Sequence, residues 1–116
     1  MLQVRGRHYD GTVVLTLAGP FCRATTARVH ARILKATKIG CHHIILDFSG
    51  VTELDAIGLA ELFIWSLQLN ADHVQISVVK SPAYVGRHLD WGLLSSIVPI
   101  YASEADAVER NLRTSE

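Results

Sequence analysis

The sequence of 116 residues is 49% hydrophobic, with eleven basic and eleven acidic side chains and a formal net charge of zero. That length and apolar content predict a single folded domain over residues 1–116 and exclude a disordered chain. The balanced charge removes any global electrostatic drive toward nucleic acid or a membrane surface.

Loose alternation from Leu2 to Tyr9 predicts a strand, and Asp10-Gly11 predicts a hairpin turn. The β-branched run from Thr12 to Leu17 is the returning strand, broken by Gly19-Pro20. From Ala24 to Lys38 the period becomes helical, with Thr25 or Thr26 as cap and Gly40 beyond the end. Val29, Ile33 and Ala36 share the core-facing side, and Arg28, Arg32 and Lys35 form a narrow basic face. That face is read as solvated, with contact to an acidic partner as the alternative. Seven bases (Arg5, Arg7, Arg23, Arg28, Arg32, Lys35 and Lys38) precede Asp47, and only Asp10 opposes them.

His43 to Phe48 contains the unalternated Ile44-Ile45-Leu46, as in a strand covered on both faces. Ser49 to Thr52 reads as a loop, and a second helix follows from Ala56 to Leu69. His73 to Val79 alternates and predicts a strand. Ser81-Pro82 opens a short helix to Asp90, and Ile97 to Tyr101 is a short edge strand, since Pro99 cannot donate to a ladder. Ser103-Glu104-Ala105-Asp106 opens a terminal helix to Leu112. The order β-β-α-β-α-β-α-β-α predicts an α/β fold: a mixed sheet of four to five strands with about four helices.

The run Leu46-Asp47-Phe48-Ser49-Gly50-Val51, continued by Asp55-Ala56-Ile57-Gly58-Leu59, resembles the central signature of STAS domains, the family of the bacterial anti-sigma factor antagonists. Gly19, Ser81-Pro82 and the ending Ile100-Tyr101 with Ser103 to Ala107 extend the resemblance along the chain. In partner-switching members the second Ser of Asp-Ser-Ser-Gly is phosphorylated by a kinase that is also the anti-sigma factor. Here Asp55 and Gly58 are kept, but Ala56 and Ile57 replace the serines, so the phosphoacceptor position is a degenerate Ile57. The Asp of the family's Gly-Glu-Leu-Asp turn falls on Cys22.

The residues themselves support a docking surface. Asp55 is placed to cap the second helix, and Gly58 allows close backbone approach. Ala56, Leu59, Ala60, Leu62, Phe63, Leu67 and Leu69 give that helix a wide apolar surface, while Ile57, Ile64 and Trp65 flank its polar line of Glu61 and Gln68. Part of that trio is expected to stay exposed. The expected partner-binding set is Ser49, Thr52, Asp55, Ala56, Ile57, Gly58, Glu61, Ile64 and Trp65. Ser49 and Thr52 are also off-register phosphosite candidates, although loop hydroxyls ordinarily make turns.

No metal site is expected: Cys41, His42 and His43 are consecutive, so strand geometry sends neighbours to opposite faces. Asp47, Glu53, Asp55 and Glu61 have no nucleophile beside them, and there is no phosphate-binding loop. The expectation is a non-enzymatic, cofactor-free cytoplasmic protein without membrane insertion or a nucleic-acid partner. The resemblance implies an anti-sigma factor or related kinase-fold partner. Its alternative is a role as accessory subunit of a lipid-transport or other transport ATPase, and a homodimer is compatible with either.

Overall fold

The computed structural model describes residues 1–80 and 98–114. The chain opens on an antiparallel hairpin of β1 (Gln3–Tyr9) and β2 (Thr12–Phe21), in register from Gln3 opposite Ala18 to Tyr9 opposite Thr12. There follow α1 (Thr26–Lys38), β3 (His43–Leu54), α2 (Ala56–Ala71), β4 (Gln75–Val79), β5 (Ile100–Tyr101) and α3 (Glu104–Thr114). The sheet order is β1-β2-β3-β4-β5, and every pairing after the hairpin is parallel. This is the expected mixed sheet, with five strands and, among the described residues, three helices. The helix expected from Ser81-Pro82 to Asp90 lies outside the described residues, as does Ile97.

Alternation along the strands divides the sheet into two faces. Val13, Leu15 and Leu17, with Ile44, Leu46, Phe48, Ile76 and Val78, form the main core with Val29 and Ile33 of α1 and Leu62, Trp65 and Leu69 of α2. Val14, Ile45 and Val79 turn the other way, onto Ala107 of α3. Both faces of β3 are therefore covered, which accounts for its unalternated apolar run. His43 is buried on the second side, its Nε2 2.7 Å from Ser77 Oγ, whereas His42 is exposed.

Two strands run further than their sequence implied. β2 continues through Gly19-Pro20 to Phe21, and β3 through Ser49 to Leu54, the segment expected to be a loop. The extensions pair with each other, Ala18 with Gly50 and Phe21 with Leu54, across register shifts at Thr16/Ala18 and Gly19/Pro20. Pro20 is tolerated because the ladder with β1 ends at Ala18, which leaves that side of β2 without a partner strand. Gly50 makes the approach possible: a Cβ there would lie 2.9 Å from the carbonyl oxygen of Leu17.

The basic face of α1 is not wholly solvated. Arg28 and Arg32 reach back to the edge strand, donating to the carbonyls of Leu2 at 2.9 Å and Val4 at 3.1 Å. Lys35 and Lys38 remain exposed.

Candidate functional site

The β2–β3 extension carries two chain crossings to one end of the sheet. Phe21 leads into the start of α1 and its parallel neighbour Leu54 into the start of α2. Asp55 sits between them. Its Oδ1 accepts from the Gly58 amide at 2.7 Å, capping α2, and its Oδ2 accepts from the Arg23 amide at 3.2 Å. One carboxylate thus satisfies backbone donors ahead of α1 and inside the first turn of α2, where the helix dipole favours negative charge. Gly58 is buried because that turn lies against β2: a Cβ would come 2.9 Å from the Phe21 carbonyl oxygen.

On the other side of the junction, Thr25 Oγ1 donates to the Pro20 carbonyl at 2.8 Å and accepts from the Cys22 amide at 3.0 Å. Thr25 is the N-cap of α1 by backbone position, but its hydroxyl serves this turn and makes no cap bond to the helix. Cys22 is half-buried beside it. Cys41 is buried, and burial pushes its thiol above the ordinary range. Asp47 is buried beneath the extension and accepts from the Ser49 amide at 2.9 Å.

The outward side of the junction is apolar. Ile57 in the first turn of α2 is 45% exposed and Ile64, two turns on, is 49% exposed. Ala56 and Ala60 are exposed, Glu61 is half-buried, and Ser49 and Thr52 are exposed on the last part of β3. Two expected members leave the surface set. Gly58 is covered by β2 and acts on the backbone only. Trp65 is the larger correction: it is 2% exposed, with the His30 ring of α1 stacked on it at 5.3 Å and Phe21 edge-on at 6.0 Å. The helical projection left its side open, but α1 closes it.

Leu67 moves in the opposite direction. Assigned by sequence to the wide apolar surface, it is 62% exposed, more than any other large apolar residue of α2. The signal was in the spacing: Ile57, Ala60, Ile64, Leu67 and Ala71 repeat at intervals of three and four, a single outward seam.

Among the described residues, no three His, Cys, Asp or Glu side chains gather into a metal-binding group, and no helix is long and apolar enough to cross a membrane.

Comparison with known proteins places this arrangement. The model of the STAS domain family matches residues 3–107. An anti-sigma F factor antagonist of Paenibacillus polymyxa is 27% identical over 108 residues, covering 92% of each protein. The crystal structure of an anti-sigma factor antagonist from Mycobacterium paratuberculosis superposes with a TM-score of 0.80 at 22% identity, over 95% of this chain and 93% of that one. The murine Solute Carrier 26 family member A9 anion transporter has the same fold in 18% of its chain, matching 88% of this one with a TM-score of 0.72 and 24% identity.

Proposed function

Because the chain belongs to the STAS domain family, we propose that it is an interaction module of the anti-sigma factor antagonist kind whose docking surface is fixed and not switched by phosphate. The observation that carries this is Ile57: an aliphatic side chain 45% exposed in the first turn of α2, directly after the Asp55 cap. A phosphorylated hydroxyl there would be held by the helix N-terminus and would repel an acidic or apolar partner. An isoleucine has no charge to gain, so contact at this position is apolar and unswitched. The proposed surface comprises Ser49, Thr52, Asp55, Ala56, Ile57, Glu61 and Ile64, and the partner is an anti-sigma factor or a related kinase-fold protein.

The test is capture of partners from the source cell by tagged protein, with Ile57→Asp alongside. The wild-type chain should retain a sigma-regulatory kinase, and Ile57→Asp should lose it while its circular dichroism is unchanged. Equal capture by the variant refutes the docking surface. Mass spectrometry of the cell-purified protein should find no phosphate from Ser49 to Leu59; phosphate there refutes the fixed surface.

A second reading is supported by the fold shared with an anion transporter and by the loss of both serines. An accessory subunit of a lipid-transport or other transport ATPase needs a permanent interface and no phosphoacceptor. Recovery of a transport ATPase in the same capture selects it.

A further inference from the structure

Charge and apolar surface are distributed over α1 and α2 in a way that fits a second copy of the same chain. Between Phe48 and Val79 the sequence holds Glu53, Asp55, Glu61 and Asp72 and no Lys or Arg. The exposed seam of α2 carries Ile57, Ile64 and Leu67, and the charged side chain that α2 itself sets beside it is Glu61. The neighbouring α1 has the opposite character. It exposes Leu34 at 47%, together with Ala27 and Ala31, and beside them it exposes Lys35 and Lys38, while Arg28 is engaged with the Leu2 carbonyl.

The helices lie side by side on one face of the sheet, held by His30 stacked on Trp65 and by the shared core beneath. The two helices thus present an apolar seam beside Glu61 next to an apolar seam beside Lys35 and Lys38. Such a surface is self-complementary under a two-fold rotation, which lays each α1 over the α2 of the other copy. Each seam then meets an apolar partner with a frame of opposite charge.

We propose that this chain forms a two-fold homodimer through the α1–α2 layer, with Leu34 and Ala31 of one copy over Ile64 and Leu67 of the other and Glu61 facing the Lys35–Lys38 band. The α2 seam has the three-and-four spacing that accepts a packed helix. Helices of 13 and 16 residues, rising about 1.5 Å per residue and lying about 10 Å apart, offer a face of about 20 by 20 Å. That area falls below the about 800 Å² per partner of a standard interface, so the dimer is a weak one, with a dissociation constant on the order of 10 μM. The α1–α2 layer is then shared between the copy and any regulatory partner, and the two compete.

Sedimentation equilibrium of the full chain, over concentrations bracketing that value, tests this. A monomer–dimer equilibrium is expected. Ile64→Glu and, separately, Leu67→Glu should each weaken it at least about tenfold, the effect of losing one apolar anchor in a small interface. Glu61→Lys and Lys35→Glu should each weaken it, and the two together should restore it. A chain monomeric throughout overturns the proposal, as does a dimer that both seam variants leave intact. Failure of the two charge reversals to rescue one another overturns the α1-on-α2 arrangement. Leu67, which lies outside the proposed partner surface, separates this proposal from that reading: Leu67→Glu should weaken the dimer and leave partner capture intact.

Discussion

Asp55 joins two elements with one side chain, and each of its oxygens accepts from a different backbone amide. Asp55→Ala removes both acceptors and should lower stability by about 1–2 kcal/mol, the upper range for a lost N-cap. Asp55→Asn, which keeps an acceptor for Gly58, should lose clearly less. Urea denaturation of both variants measures the difference, and equal losses would assign the effect to charge and not to capping. The cap was legible from sequence because it depends on residues three apart in the chain. The bond to Arg23 was not, since it spans thirty-two positions. The same limit explains Trp65 and Leu67. A helical projection ranks side chains around their own axis, but which flank is covered depends on where the neighbouring helix lies. His30 covers Trp65 and nothing comparable covers Leu67.

Among the elements, the junction of β2, β3 and α2 is the most closely fitted. Glycine within a helix ordinarily costs about 1 kcal/mol relative to alanine, so helix propensity alone favours Gly58→Ala. The contact argues the reverse, since the new methyl would press on the Phe21 carbonyl oxygen, a backbone atom anchored in the β2–β3 ladder. Overpacking of this kind costs about 1–3 kcal/mol and should win. Gly58→Ala is therefore expected to unfold at lower urea than wild type, and a stabilised variant would show that α2 is free to shift. The positions and types of the elements were readable from period and turn residues. The lengths of β2 and β3 were not, because Gly19-Pro20 and Ser49-Gly50 break a strand by every local rule. They extend because each supplies the other's ladder past the point where β1 and β4 stop.

At the scale of the molecule, the alternation of strands and helices gave the α/β class and the mixed sheet, since crossover geometry leaves few other arrangements for such an order. The uneven charge was visible too, as seven early bases against one acid. Its meaning was not. Arg28 and Arg32 look equivalent to Lys35 in sequence, yet their guanidinium groups donate to main-chain oxygens at the edge strand, whereas Lys35 and Lys38 are exposed beyond that contact. An open strand margin is where foreign strands add and fibres begin. With the Leu2 and Val4 oxygens already occupied, that margin is a poor template for polymer growth, a safeguard for a chain with this much apolar content.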